Sequence, residues 1–250
     1  MSEQVSDLAG KNGKEIRKLP EIATCRKGDY MDIKGAVLAR HSVRQYKNDP
    51  IPEELKTELE EMIRECNEKS GLRIQLIADD PECFNTFLSH YGKFENVKNY
   101  IAIVGSKNLK NLEELGGYYG QKLVLHAQMM GLNTCWVGGT YGRGKCKADK
   151  QSGEKILCVI AIGYGENQGE RHKTKSMKKL CSVPEEEMPV WFKNGVKAAM
   201  LAPTAVNQQK FLISMEEGKP VITAGRGFMT KIDLGIIKYN FEAVSGRKCL

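Results

Sequence analysis

The 250-residue sequence has no apolar run near the roughly 20 residues that a membrane-spanning helix needs. Its first residues, MSEQVSDLAGKNGK, are polar and lack the apolar core of a signal peptide, so secretion is not indicated. The eight cysteines form no CxxC pair, and none combines with a histidine at metal-ligand spacing. We therefore expect a soluble cytoplasmic protein with reduced thiols, no metal site and no membrane attachment.

Several catalytic and binding motifs are also missing. No HExxH, GxSxG, P-loop, Rossmann GxGxxG or paired-carboxylate motif stands out. The net charge of +7 is moderate, and acidic residues such as Glu58, Glu60 and Glu61 lie between the basic ones. A nucleic-acid surface normally concentrates Lys and Arg on one face. The composition therefore indicates no nucleic-acid partner, but it is compatible with a small anionic ligand.

Apolar patterning predicts helices mixed with strands. The predicted helices cover roughly 31–40, 52–69, 112–130, 190–202 and 233–245. The predicted strands cover roughly 72–80, 100–106, 134–141, 156–166, 210–215 and 220–224. This order is typical of an α+β or α/β protein.

The chain also matches itself in pattern. Residues 61–77 align without gaps with 197–213 as helix, break and strand. Residues 118–131 align with 233–246, each a helix with glycine at its third and last positions. Identities are few, so chance similarity stays open. A duplication would give two related helix–strand–strand–helix halves, at 21–170 and 171–250, after a flexible tail over residues 1–20.

The stretch RHSVRQY, residues 40–46, could bind an anion. Arg40, Ser42 and Arg44 stand at alternate positions, and two guanidiniums with a hydroxyl can converge on phosphate oxygens. Taken alone, the stretch is more often a solvated basic loop.

Three further stretches could contribute to a site. In CWVGGTYGRG, Gly138 and Gly139 would let the backbone approach a flat ligand closely. In LAPTAVNQQ, Pro203 breaks a helix before amide side chains that could read the edge of a heterocycle. The basic stretch 171–175 could complete a phosphate site. A plain turn, a helix end and a solvated linker are the respective alternatives.

Taken in order, these stretches resemble the FMN-dependent nitroreductase family. RHSVRQY is similar to that family's Arg-x-Ser-x-Arg opening, and GLNTCWVGG is similar to its GLGTCWIGG-type segment. AIGYGE resembles its later Gly-Tyr strand end, and LAPTAVNQQ resembles its APSAxNxQ motif. The resemblance spans roughly residues 30–246. It implies an α+β fold with a central, mainly antiparallel sheet flanked by helices, and FMN as the cofactor.

One departure from the family pattern is informative. In most relatives the proline-asparagine motif follows soon after the arginine segment, but here that slot holds CNEKSGL, residues 66–72. Family members are usually homodimers that share each flavin between subunits. This chain therefore resembles a fused, shortened dimer, an internal pseudo-dimer with one complete flavin site, acting as a monomer or a homodimer. A second departure is that no Trp follows Gln209, which leaves the packing beneath that segment open.

The resemblance implies roles for individual residues. Arg40 and Ser42 would hold the FMN phosphate with help from Lys173 and Lys175. Arg44 would reach toward the pyrimidine edge of the ring. The full set of expected FMN-binding residues is Arg40, His41, Ser42, Arg44, Val137, Gly138, Gly139, Lys173, Lys175, Pro203, Thr204, Ala205, Asn207 and Gln209. No catalytic side chain is expected, because the flavin carries the redox chemistry.

The implied activity is an oxidoreductase with ping-pong kinetics. NADH or NADPH would reduce FMN, and reduced FMN would pass electrons to a nitroaromatic, a quinone or a similar small acceptor. Two alternatives stay open: a flavin-fragmenting enzyme like the one that makes dimethylbenzimidazole, and a flavin-binding protein without catalysis. The choice between NADH and NADPH also stays open.

Overall fold

The computed structural model describes residues 31–250, so the expected tail over 1–20 and the first ten residues of the first half lie outside the described residues. Within this range the helices are α1 Ile33–Ala39, α2 Glu53–Ser70, α3 Phe87–Tyr91, α4 Leu112–Met129, α5 Met177–Leu180, α6 Val190–Met200 and α7 Thr230–Ser245. The strands are β1 Gln75–Ile77, β2 Asn99–Ser106, β3 Asn133–Val137, β4 Glu154–Gly163, β5 Phe211–Glu216 and β6 Lys219–Ala224. Short 3₁₀ turns cover Glu185–Glu187 and Ala205–Asn207. No helix among residues 31–250 is long and apolar enough to cross a membrane.

Local sequence explains where the long helices begin and end. The first turn of α2 carries Glu53 and Glu54, which favour the positive end of the helix dipole. Gly71, at a φ of 71°, ends α2 in the left-handed conformation that glycine adopts without strain. The side chain of Asp32 caps α1 by accepting a hydrogen bond from the amide of Gly35 at 2.7 Å.

The central sheet has the strand order β1-β2-β4-β3, and every neighbouring pair is antiparallel. Strands β5 and β6 form a separate antiparallel pair. The inner strands β2 and β4 are almost wholly buried, because both faces of the sheet are covered. In β2, Ile101 and Ile103 face a core shared with the long helices, whereas Tyr100, Ala102 and Val104 face a second core beneath the loops. This period-two alternation fixes the register of the sheet.

Helices α4 and α7 cross at very close range. The α-carbon of Gly117 in α4 faces the carbonyl oxygen of Ile232 in α7. In the same way, the α-carbon of Gly235 in α7 faces the carbonyl oxygen of Glu114 in α4. A buried hydrogen bond of 2.9 Å from Gln121 Nε2 to Asn240 Oδ1 joins the same two helices. The contact therefore depends on the absence of side chains at two positions.

The fold class predicted from the sequence is confirmed, and the deviations are local. Strand β1 is shorter than predicted, because only Gln75–Ile77 pairs with β2. Helices α3 and α5 were not predicted. The order α2-β1-β2-α4 recurs as α6-β5-β6-α7, and the two strands of each unit are antiparallel. The first unit also contains the short helix α3 between its two strands. This agrees with the predicted pattern of two halves, while the division at residues 170 and 171 stays a prediction.

Replacing Gly117 by Ala should destabilise the chain strongly. The new Cβ would fall on the carbonyl oxygen of Ile232, and backbone cannot rotate away as a side chain can. We expect the free energy of unfolding to fall by about 3 kcal/mol, as for overpacked cores. Urea unfolding measures this loss.

Gly144→Ala is the matched control. A Cβ at Gly144 meets no heavy atom within 4 Å, so the unfolding free energy should change little. Equal effects of the two substitutions would contradict the close α4–α7 contact.

Candidate functional site

A cleft of about 1110 Å³ opens at the end of β3. Its walls come from segments that are far apart in sequence: residues 40–45, 136–140, 167–172, 203–207 and 228–236. Both predicted halves of the chain therefore contribute to one cavity. The cleft combines cationic side chains at one end with apolar side chains such as Trp136 and Phe228.

Arg40 carries a buried charge at this cleft. Only 4% of the residue is exposed, and its Nε has no hydrogen-bond partner among the described residues. Within residues 31–250 no carboxylate oxygen lies within 4.0 Å of its guanidinium. Burial lowers the pKa of Arg40 to about 10, which still leaves it charged at neutral pH. Because a buried cation with no anionic partner among the described residues is costly, the position is suited to an anionic ligand.

The segment after Arg40 is extended, and this conformation positions its side chains. The amide of Val43 donates to the carbonyl of Thr134 at 3.1 Å, which docks the segment on β3. Val43 is fully buried in the core beneath the loops, whereas Ser42 and Arg44 line the cleft. The guanidinium of Arg44 also lies 5.9 Å from the centre of the Phe94 ring. The alternate spacing seen in the sequence therefore directs these two side chains to the cleft.

A loop after β4 packs on this arginine segment. The amide of Gly165 donates to Asn133 Oδ1 at 3.0 Å, and the amide of Glu166 donates to the carbonyl of Gln45 at 2.9 Å. Gly169 lies so close to His41 that an added Cβ would approach the Cβ of His41 to 2.9 Å. The loop thereby brings His172 to the cleft wall. This residue was missed by the sequence analysis.

Two histidines lie near Arg40: His172, which lines the cleft, and His41, which does not. Burial lowers the pKa of His172, and the charges of Arg40 and Arg171 lower it further, while its hydrogen bond to the carbonyl of Met200 raises it. Burial is also the main cause of the lowered pKa of His41, followed by the charge of Arg40. Both imidazoles are therefore mostly neutral at neutral pH.

The glycine pair after β3 forms one wall. Gly138 is packed against the sulfur of Met229, so no side chain would fit there. An added Cβ on Gly139 would have no neighbour within 4 Å, because that position faces open space. The backbone is therefore open at Gly139.

The loop 203–209 forms the opposite wall and is held by a buried carboxylate. Asp233, at the start of α7, accepts hydrogen bonds from the amide of Ala205 at 2.9 Å and from Gln208 Nε2 at 2.8 Å. Val206, Asn207 and Gln209 all have positive φ, between 45° and 52°. Such backbone is costly for a β-branched residue like Val206, and it persists only where the surroundings impose it.

Ten of the predicted residues line the cleft and four do not. The lining residues are Arg40, Ser42, Arg44, Val137, Gly138, Gly139, Pro203, Thr204, Ala205 and Asn207. The structure places His41, Lys173, Lys175 and Gln209 outside the lining, and their predicted contact with the ligand stays a prediction.

The two lysines and the glutamine support the loop instead. Lys175 Nζ donates to the carbonyls of Gln208 and Gln209 at 2.7 and 2.9 Å. The buried side chain of Gln209 donates to the carbonyl of Lys173 at 2.8 Å and accepts from the amide of Lys175 at 2.8 Å. The side chains of Lys175 and Gln209 and the carbonyl of Lys173 are thus used within the loop.

Comparison with known proteins shows the family. A family model described as "Putative TM nitroreductase" matches residues 32–245, and the chain belongs to this nitroreductase family. No curated protein matches the sequence. A Thermotoga maritima structure, described as a putative nitroreductase, has a TM-score of 0.63 at 21% identity. The match covers 90% of this chain and 88% of that chain, so the nitroreductase-like fold expected from the sequence is confirmed.

Shorter structures match only part of this chain. A nitroreductase-like protein from Streptococcus mutans has a TM-score of 0.50 at 13% identity, covering 60% of this chain and 96% of that chain. A Desulfovibrio desulfuricans protein, described as a putative nitroreductase in complex with FMN, has a TM-score of 0.47 at 18% identity. It covers 63% of this chain and 98% of that chain. This chain is thus longer than either match.

Replacing Asp233 by Asn should remove a pH dependence of stability. Burial raises the pKa of Asp233 from 3.8 to about 6, so between these values the folded chain holds a proton that the unfolded chain has released. The free energy of unfolding should therefore fall as the pH rises from about 4 to about 6, by up to about 3 kcal/mol. Asp233→Asn should flatten this part of the profile, as measured by urea unfolding at a series of pH values.

The exposed Asp49 provides the control. Asp49→Asn should leave the difference between pH 4 and pH 6 as in the parent chain, because Asp49 is solvated in both states. A D233N profile that keeps the full slope would show that another group is responsible.

Proposed function

We propose that the chain binds FMN in this cleft and is an oxidoreductase that takes electrons from NADH or NADPH. The electrons would pass to a nitroaromatic, a quinone or a similar small acceptor. The observation that carries the proposal is the buried guanidinium of Arg40 at the cleft, whose Nε has no hydrogen-bond partner and which meets no carboxylate among residues 31–250. A phosphate monoester is the part of FMN that such a group would bind. Membership of a nitroreductase family supports the same choice.

The residues of the cleft fit the other parts of this cofactor. Arg40 and Ser42 would hold the phosphate, and the open backbone at Gly139 leaves room for a flat ring. Asn207 lines the cleft, where its Nδ2 donates to the carbonyl of Lys173 at 3.0 Å and its Oδ1 accepts from Gln209 Nε2 at 2.8 Å, so its second Nδ2 hydrogen would serve the ring or the ribityl chain. The volume of about 1110 Å³ exceeds the roughly 300–1,000 Å³ of typical small-ligand pockets, which leaves space for a second substrate.

Bound FMN would supply the hydride chemistry, and the chain would supply binding, orientation and electrostatics. Arg44 adds positive potential to the cleft, which favours negative charge on a bound ring. The buried side chains of Ile232 and Ile236 line the adjoining apolar wall, together with the exposed Phe228. Asp233 holds the loop 203–207 in place and thereby fixes the position of Asn207.

We further propose that one chain makes one complete site. The cationic wall comes from residues 40–44 in the predicted first half, and the loop 203–207 comes from the second. A second subunit is therefore not needed to complete the cleft. A cytoplasmic location stays part of this proposal.

The protein should bind FMN and show flavin absorbance that NADH or NADPH bleaches in the absence of oxygen. Arg40→Ala should weaken FMN binding about 100-fold, because charge-assisted hydrogen bonds to the phosphate are lost. Riboflavin, which has no phosphate, should bind both proteins equally. Equilibrium binding followed by flavin fluorescence measures both affinities.

The control is Arg64→Ala, since Arg64 is exposed on α2, where it pairs with Glu68 at 3.6 Å. FMN that binds R40A and the parent chain equally would reject the phosphate site. Bound flavin that neither nicotinamide reduces would indicate a non-catalytic binding protein. Loss of FMN to a benzimidazole product would indicate the flavin-fragmenting alternative.

FMN titration combined with solution mass should give one FMN per chain, with a monomer sufficient for binding. The reason is that the two walls of the cleft belong to the same chain. Dissociation of FMN whenever a dimer is diluted to monomers would contradict this arrangement.

A further inference from the structure

The imidazole of His172 is held in one defined tautomer at the basic end of the cleft. Its Nε2 lies 3.2 Å from the carbonyl oxygen of Met200, the last residue of α6. A carbonyl only accepts, so we assign the Nε2 proton from this partner. The carbonyls of a helix C-terminus carry partial negative charge, which stabilises a donor there in either charge state.

The second ring nitrogen, Nδ1, is the atom that gains or loses a proton when His172 titrates. Among the described residues, no group forms a hydrogen bond with Nδ1 of His172. A neutral ring presents a lone pair at Nδ1, which repels an anionic oxygen. A protonated ring presents an N–H there and can donate to that oxygen. Only the charged form of His172 is therefore suited to an anion.

The groups that face His172 set its charge. The charges of Arg40 and Arg171 oppose protonation of His172. His41 lies in the same cluster, and the charge of His172 lowers the pKa of His41. Glu170 also lines the cleft, but it forms no ion pair with His172 within 4.0 Å in the described part of the chain. A dianion placed at Arg40 would reverse this balance, because it compensates the positive charges that keep the ring neutral.

We propose that His172 is a ligand of the FMN phosphate that acts when protonated, so that FMN binding takes up a proton. The inference rests on the proposed binding of FMN with its phosphate at Arg40. Binding of the FMN phosphate dianion favours the protonated form of His172. By linkage, protonation of His172 strengthens the binding of FMN. The contribution of His172 to affinity is therefore largest at low pH and disappears as the pH rises above the value at which the bound imidazolium releases its proton.

His172→Gln tests the proposal with little other change. The amide Nε2 of Gln can still donate to the carbonyl of Met200, but it cannot take up a proton. FMN affinity should be measured by fluorescence from pH 5.5 to 8.5 at constant ionic strength. The parent chain should bind FMN about tenfold more tightly than H172Q at pH 6, and the ratio should approach one at pH 8.5. The FMN phosphate itself titrates with a pKa of about 6, and this affects both proteins alike. The ratio of the two affinities therefore reports the contribution of the His172 imidazole alone.

Two further measurements separate a ligand from a structural role. Calorimetry in buffers of different ionisation enthalpy should show proton uptake by the parent chain that H172Q lacks. Riboflavin should bind both proteins equally at every pH. The matched control is His126→Gln, in which a ring on α4 that also contacts a carbonyl, that of Lys122 at 2.9 Å, lies outside the cleft lining. H126Q should behave as the parent chain.

The outcomes distinguish this inference from the proposed function. If FMN binds both proteins with the same pH profile and proton uptake, His172 is no phosphate ligand, and the oxidoreductase proposal stands. If riboflavin binding falls together with FMN binding in H172Q, the residue has a structural role and the inference fails. If the parent chain binds no FMN at any pH, both proposals fail together.

Discussion

The site depends on the close crossing of α4 and α7. Because Gly117 and Gly235 have no side chains, the two helices meet backbone to backbone, and this fixes the start of α7. That start carries Asp233, which holds the loop 203–209 by two hydrogen bonds. It also carries Met229, which packs against Gly138 at the end of β3. One helix crossing therefore sets the distance between the walls of the cleft.

The cleft is built at a cost to stability. Arg40 keeps a buried charge that no carboxylate of residues 31–250 compensates, and Asp233 has a raised pKa because burial disfavours its charged form. The positive φ of Val206 and Asn207 adds backbone strain nearby. A chain selected for stability alone would replace such groups by apolar ones. Their concentration around a single cavity is what one expects where a ligand compensates part of the cost.

The sequence predicted the long elements and the arginine segment, because both depend on local patterns. Helix α4 is a long, mostly apolar segment and strand β2 is a near-continuous apolar run, and the alternation of Arg40, Ser42 and Arg44 persists in the extended segment. Helix α3 could not be predicted, because its apolar residues such as Phe87 and Tyr91 are exposed and form no buried face. His172 was missed for a different reason. Its role depends on Met200 and Arg40, which are distant in sequence, so no local pattern distinguishes it from Lys173 and Lys175.

The two aligned segments of the predicted halves are held by different contacts. This difference explains why the cleft opens beside the second segment. In the alignment of 61–77 with 197–213, Asn67 corresponds to Pro203 and Arg73 to Gln209. Asn67 closes its own turn, with its side chain donating to the carbonyl of Ile74 and accepting from the same residue's amide. Arg73 forms an ion pair with Asp149. The segment 61–77 therefore holds these two polar side chains in hydrogen bonds and an ion pair within the described residues. At the aligned position Pro203 has no such side chain, and the loop 203–209 is held by Asp233 and forms a wall of the cleft.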